Sequence, residues 1–169
     1  MTSVKDDERT ADRAATTARM RRLLRDLEHE VTRAMRINLD PAGVSVDEWA
    51  VISLLSDGQG HPMSEVIAAT GVPSPTATRI VDRLVSSALL HRAVDPADRR
   101  RVLVVLSPRG KRLYARLMPA QSQLAVLLEH QVGKAEFAEL MKRLAGATDA
   151  LRQHSQAPPS ADTRRGDAR

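Results

Sequence analysis

The side chains best equipped for chemistry in this chain are cationic and hydroxylic, and they crowd into one window. Between positions 73 and 112 stand Arg79, Arg83, Arg92, Arg99, Arg100, Arg101, Arg109, Lys111 and Arg112, opposed only by Asp82, Asp95 and Asp98. The whole chain carries a net charge of +5, so the residues outside this window are close to neutral. The stretch just before it, Pro41 to Val72, holds Asp47, Glu48, Asp57 and Glu65 with no Lys or Arg. A basic block confined to one segment is the electrostatic footprint of a polyanion-binding surface. Charge alone would suit a solvated surface equally well, so the elements that carry these residues must decide.

Other chemistries lack a carrier. There is no G-x-S-x-G, no P-loop and no G-x-G-x-x-G, which leaves nucleophilic, phosphoryl and dinucleotide chemistry without a motif. With no cysteine there is no disulfide scaffold, thiolate nucleophile, zinc knuckle or thiol redox sensor. His29, His61, His91, His130 and His154 are scattered, and His29-Glu30 lacks the second histidine four residues on that a zinc helix needs. The expectation is a non-enzyme without metal or cofactor. Apolar runs such as Val102 to Leu106 fall far short of the roughly 20 residues of a membrane span. The charged start, Met1 to Arg13, has no signal-peptide core, so a cytoplasmic protein with no membrane partner is expected. A chain of 169 residues, 42% of them hydrophobic, can bury a real core as one compact domain.

Two helices and a hairpin would position the basic window. Ser45 followed by Glu48 is a capping box, starting a helix to about Ser56 with Trp49, Ile52 and Leu55 on one face. Asp57-Gly-Gln-Gly60 ends it, and after Pro62 a short helix is predicted over Ser64 to Thr70. Gly71-Val72 then turns the chain, and Ser74-Pro75 reads as an N-cap with proline at the first helical position, opening a helix to about Ser87. Two helices about a short glycine-containing turn form a helix-turn-helix, which presents the start of its second helix to the DNA major groove. Leu89 to Val94 and Arg101 to Leu106 read as strands joined by Asp95-Pro-Ala-Asp-Arg-Arg100, a hairpin with a basic tip. Ser107-Pro108 starts the next helix. A helix-turn-helix followed at once by a hairpin is a winged helix.

The flanks repeat one pattern. Met20, Leu24, Leu27, Val31 and Ala34 form an amphipathic seam, and similar spacing returns in Leu113, Leu117, Ala120, Leu124 and Leu127 and again from Phe137 to Leu151. Such seams need a partner. A two-fold homodimer built from both termini is expected, with packing of these helices on their own core as the other reading.

These residues resemble the MarR-type transcriptional regulators. The resemblance rests on GVSVDEWAVISLL, on SPTATRIVDRLV at the recognition helix, and on DPADRRRVLVVLSPRGKRLY over the wing and its exit helix. It is close from Val44 to Tyr114 and extends to the flanking helices in pattern only. The implied fold is mainly α with a small β-hairpin wing, a winged helix-turn-helix lobe flanked by N- and C-terminal dimerisation helices. The boundaries read 1–12 as a disordered N-terminus, 13–40 as a dimerisation helix and 41–112 as the DNA-binding lobe. They continue with 113–154 as C-terminal dimerisation helices and 155–169 as a disordered tail.

The resemblance also assigns roles. Ser74, Thr76, Thr78 and Arg79 fall on the first turns of the recognition helix, where hydroxyls can bond phosphates or base edges and Arg79 can fork onto a guanine. Arg83, one turn later, would touch phosphate, while the other reading of Arg79 is a surface pair with Asp82 at i+3. Arg100 resembles the wing-tip arginine that enters the minor groove, with Arg99 beside it and Asp98 orienting the wing by pairing with arginine. Arg99 and Arg101 would serve equally as solvated flanks. Three departures stand out. Ile67 and Ala77 exchange the family's small and branched residues across one contact, Pro73 takes the usual cap serine's place so that the cap moves to Ser74, and Ala88 replaces the glycine that commonly ends the recognition helix.

The expected activity is that of a homodimeric repressor of transcription on double-stranded DNA, two recognition helices entering successive major grooves of a near-palindrome. The resemblance further implies release by a small-molecule effector bound between dimer helices and lobes, with His29, Arg36 and Trp49 as wall residues, although Trp49 also suits ordinary core. The alternative is a dimeric protein-interaction module whose winged helix does not read DNA.

Overall fold

A computed structural model describes residues 2–156, with side chains from 9 to 154. It divides into two compact units, one running to Leu124 and the other starting at Ala125.

The first unit opens with α1, Thr2–Leu39. The helix runs from Thr2, well before Arg13, across most of the segment 1–12 that the sequence suggested as disordered. That stretch contains neither glycine nor proline, and nothing in it interrupts the backbone ladder. The corresponding expectation for 155–169 lies outside the described residues beyond Gln156. α1 stops at a 3-10 turn, Asp40–Ala42, because Pro41 cannot extend the helix and Gly43 takes a left-handed conformation with φ +69°.

The capping box at Ser45 forms as expected. Glu48 N donates to Ser45 Oγ at 3.1 Å and Ser45 N donates to Glu48 Oε2 at 2.8 Å, starting α2, Val46–Leu54. A 3-10 turn over Leu55–Asp57 leads to β1, His61–Pro62, then α3, Met63–Thr70, and α4, Ser74–Ser86. The strands β2, Leu90–Val94, and β3, Val102–Leu106, pair antiparallel with Leu90 opposite Leu106 and Val94 opposite Val102. The expected two-stranded wing is in fact a three-stranded sheet in the order β1-β3-β2, with His61 opposite Val104. Leu39, Ile52, Leu55, Val66, Val81, Leu84, Val104 and Leu106 bury their side chains together as the core of the lobe.

α5, Pro108–Val132, leaves the wing through a second cap, in which Gly110 N donates to Ser107 Oγ at 3.0 Å. Gly110 is buried here because a Cβ would overlap the Leu89 carbonyl oxygen and the Leu106 side chain. Gln121 Nε2 donates to the Met35 carbonyl at 3.2 Å, tying α5 back to the buried end of α1.

In the second unit α5 ends at Gly133, φ +98°, and α6 spans Lys134–Gln156. Leu140, Met141 and Leu151 are exposed along α6, as are Met20, Leu23, Leu24 and Leu27 along α1. Among the described residues no helix is long and apolar enough to cross a membrane.

Candidate nucleic-acid interface

α4 divides cleanly into two faces. Ala77, Val81 and Leu84, spaced by four and three, are buried against the core, and the turns between them are exposed. Ser74, Thr76, Thr78, Arg79 and Arg83 all lie on the exposed side. The cap differs from expectation. Ser74 is the first helical residue and Pro73 holds the cap position with no side-chain bond, because proline's fixed φ (−55° here) and free carbonyl already launch the helix, accepting Ala77 N–H at 2.9 Å. Thr78 Oγ1 donates to the Ser74 carbonyl at 3.0 Å, which leaves its hydroxyl oxygen to accept.

The far end of α4 closes with a Schellman motif: Ala88 N donates to Val85 O and Leu89 N to Leu84 O, both at 2.9 Å. The motif needs a left-handed residue, and Ala88 supplies it at φ +55°, the sole non-glycine residue with positive φ among those described. Ser107 Oγ donates to the Ala88 carbonyl at 2.7 Å and holds this corner against the start of α5.

The cations sort into paired and unpaired. Asp82 is taken by Arg92 of β2 at 2.6 Å, so it does not pair with Arg79. Arg83, expected to be free for phosphate, instead sets Nε 3.1 Å from Glu48 Oε1. Glu48 is the buried charged residue of the core, 3% exposed, and the same carboxylate completes the α2 cap, so it joins the two helices through one group. Arg101, expected on a solvated flank, reaches Glu65 of α3 at 3.4 Å and Asp95 at 4.0 Å. Arg79, Arg99 and Arg100 have no carboxylate within ion-pair distance among the described residues, and all three are exposed.

The wing tip is built by its own aspartates. Asp98 Oδ1 accepts from Arg100 N at 3.0 Å and Asp98 O from Arg101 N at 2.9 Å, while Asp95 Oδ1 accepts from Ala97 N at 2.8 Å. Asp98 thus orients the tip through a backbone amide, correcting the expected pairing with an arginine side chain. A short carboxylate reaches the amide two residues on more readily than a distant guanidinium.

Sequence reasoning overlooks His61. Its Nε2 lies 2.8 Å from Asp57 Oδ2 and its Nδ1 3.0 Å from Glu65 Oε2. The Glu65 bond first, and then the Asp57 bond, favour the imidazolium and raise the His61 pKa above its ordinary value. Asp57 is lowered, chiefly by the amide of Gln59 and then by His61. A chain of alternating charge therefore runs Asp57, His61, Glu65, Arg101, Asp95 from the end of α2 to the wing. Its available signal is the Asp57, His61, Glu65 spacing of four, but no helix spans those residues.

The expected effector-site residues separate. His29 and Arg36 both line a concavity of about 580 Å³ along α1, with Thr32, Arg33 and Asp40. Trp49 is not among its lining residues. It is 6% exposed in the core and stacks on Tyr114 with ring centroids 5.4 Å apart and planes at 15°. Its large apolar ring is better placed against another ring than at a wet wall.

Residues 42–101 match the family model of the MarR family. Over 88 residues the chain is 33% identical to the HTH-type transcriptional repressor NicR of Pseudomonas putida, covering 52% of this chain and 55% of that protein, so the match spans just over half the relative's length. Over 116 residues it is 25% identical to the HTH-type transcriptional regulator FarR of Neisseria gonorrhoeae, covering 67% and 80%. Its fold is similar to that of Bordetella bronchiseptica BpsR, with a TM-score of 0.67 at 25% identity over 77% of this chain and 98% of that one. It is also similar to S. aureus MepR, solved in a DNA-binding conformation, with a TM-score of 0.71 at 20% identity over 78% and 98%.

Proposed function

We propose that this chain, whose residues 42–101 match the MarR family model, is a winged-helix regulator of that family that acts in the cytoplasm as a homodimeric repressor and binds double-stranded DNA in a sequence-specific way. The observation that carries the reading is the sorting of the cations. Arg83, Arg92 and Arg101 are spent on carboxylates inside the lobe, whereas Arg79 on the recognition helix and Arg99 and Arg100 on the wing tip are left for an outside anion. Ser74, Thr76, Thr78 and Arg79 meet base edges and phosphates in the major groove, and Arg100 with Arg99 enters the minor groove, where Asp98 has pre-shaped the turn. Arg83 serves this surface by fixing α4 to α2 and contributes to phosphate binding only secondarily.

The exposed seams of α1, and of the second unit, join two copies. In the dimer the two recognition helices sit roughly 34 to 36 Å apart, one turn of DNA, which suits a near-palindromic operator. His29 and Arg36 line the α1 concavity, whose volume suits a small organic acid. BpsR, by its description, has its DNA binding regulated by 6-hydroxynicotinic acid, which supports an effector of this size here. A winged helix that only binds proteins would not need its free arginines on both the exposed side of α4 and the wing tip, the two elements that reach DNA grooves in such a fold.

The test is fluorescence anisotropy of duplexes at two salt concentrations, comparing DNA upstream of the protein's own coding region and operators selected from genomic DNA with scrambled duplexes. Salt-dependent binding that prefers a selected site is expected. Equal affinity for every duplex, or none, refutes sequence-specific regulation and leaves the protein-interaction module.

A further inference from the structure

A second concavity of about 450 Å³ lies at the opposite end of α4 from its DNA-facing start, and its lining contains three arginines and no acidic residue. Arg109, Arg112 and Arg116 are spaced by three and four along α5, which puts them on one helical face. Val44, Leu89 and Leu113, buried or half-buried, supply the apolar part of the lining. We propose that this groove is a binding site for a small organic dianion, an apolar body carrying two carboxylates.

Three observations converge on it. First, the arginines are not consumed by the protein. None has a carboxylate or hydrogen-bond partner among the described residues, in contrast to Arg83, Arg92 and Arg101 on the same lobe. Second, the nearby α4 terminus is closed by its own bonds, Arg83 O, Leu84 O and Val85 O accepting the amides of Ser87, Leu89 and Ala88, and no hydrogen bond joins these carbonyls to the three guanidiniums. Three guanidiniums on one face repel each other unless an outside anion sits between them, and each offers a planar fork that fits a carboxylate. Third, the groove is a half-open concavity of about 450 Å³ whose lining mixes the arginines with apolar side chains. Its volume falls in the range of small-molecule sites, roughly 300 to 1,000 Å³, and exceeds what an inorganic oxyanion would fill. A Cβ placed on Gly43, on the rim, meets nothing within 4 Å, so the mouth is open on that side.

The groove is separate from the DNA-facing surface. α4 has 13 residues, so Ser74 and the groove at Ser87 are roughly 20 Å apart along the helix. It shares no lining residue with the α1 concavity of His29 and Arg36. The proposal therefore stands or falls independently of DNA binding. The ligand would bridge the loop after α1, the end of α4 and the first turns of α5.

The experiment is isothermal titration calorimetry of the full chain with isophthalate, using isophthalamide and inorganic phosphate as comparison probes. Isophthalate is expected to bind, and Arg109→Gln, Arg112→Gln and Arg116→Gln are each expected to weaken it about tenfold, as loss of one charge-assisted contact does. Because these side chains are exposed, the variants should keep the wild-type circular dichroism melt. Arg36→Gln, in the other concavity, should leave isophthalate binding unchanged. The proposal is overturned by any of four results: no isophthalate binding, equal binding of isophthalamide, phosphate binding as tightly as isophthalate, or loss in Arg36→Gln with the three α5 variants unaffected.

Discussion

Replacing Ala88 by glycine should make the protein more stable, although it removes a methyl group and touches no ligand. Ala88 sits at φ +55° as the left-handed residue of the Schellman motif that ends α4. A non-glycine residue there costs about 1 to 2 kcal/mol, because Cβ crowds its own carbonyl. Glycine removes that cost but brings about 0.4 to 1 kcal/mol of extra freedom in the unfolded chain. The middle of the two ranges leaves Ala88→Gly ahead by about 0.8 kcal/mol. For a protein of this length, each kcal/mol moves the midpoint by roughly 2 to 4 °C, so a rise of about 1 to 4 °C is expected in a circular dichroism melt. The urea midpoint should rise with an unchanged slope. Gly71→Ala supplies the mirror experiment. Gly71 caps α3 at φ +69°, and a Cβ placed on it meets nothing within 4 Å, so the same backbone cost should appear there with the opposite sign and no steric contribution. A lower midpoint for Ala88→Gly alongside the expected loss for Gly71→Ala would show that the Ala88 methyl is worth more in contacts than its backbone costs, and the reasoning would fail.

Other perturbations test the lobe in different ways. Gly110→Ala should destabilise by about 1 to 3 kcal/mol or more, since the new methyl has the rigid Leu89 carbonyl in its way, and a denaturant midpoint within error of wild type would contradict the close approach. Arg100→Ala should lower the slope of log affinity against log salt by about 0.9, one phosphate's worth, whereas Arg83→Ala should change it less because Glu48 already neutralises that cation; equal slopes for the two would undo the distinction. His61→Gln should cost stability at about pH 5.5 and progressively less as pH rises. Its folded pKa is raised above the ordinary 6.5, so the imidazolium's stabilisation is fully present below that value and fades as pH climbs through the folded pKa. A cost that grows with pH would place the stabilising form of His61 as neutral.

Legibility follows the range of the interaction. Ser45 to Glu48, Ser107 before Pro108 and the buried spacing of Ala77, Val81 and Leu84 are local patterns, and each fold element they announce is present. The two-residue strand at His61–Pro62 is invisible in the sequence, because it has no period of its own and exists only by pairing with Val104 and Leu103 some forty residues on. The fates of Arg83 and Arg101 are hidden for the same reason. Each carboxylate partner, Glu48 or Glu65, lies about 35 residues upstream, and nothing in their spacing signals a contact. The cap falls at Pro73, one residue before the expected Ser74, because serine is the better capping type yet proline's backbone alone suffices. In the sequence Ala88 is only a departure from a family habit; its left-handed backbone is what gives that departure an energetic meaning.

The strand β1 and the ion chain from Asp57 to Asp95 have a mechanical consequence. The wing is stitched by β3 to the segment that opens α3, and Arg101 staples its base to the same helix through Glu65. α4 is meanwhile bolted to α2 through Arg83 and Glu48, and to β2 through Asp82 and Arg92. α4 and the wing are thus held like the two jaws of a caliper set at one opening. On the proposed function, a lobe built this way resists fitting a different groove geometry by flexing between its own parts. On that reading, adjustment to a DNA site, or release from it by a ligand, comes more readily from moving the lobe as a unit than from opening it.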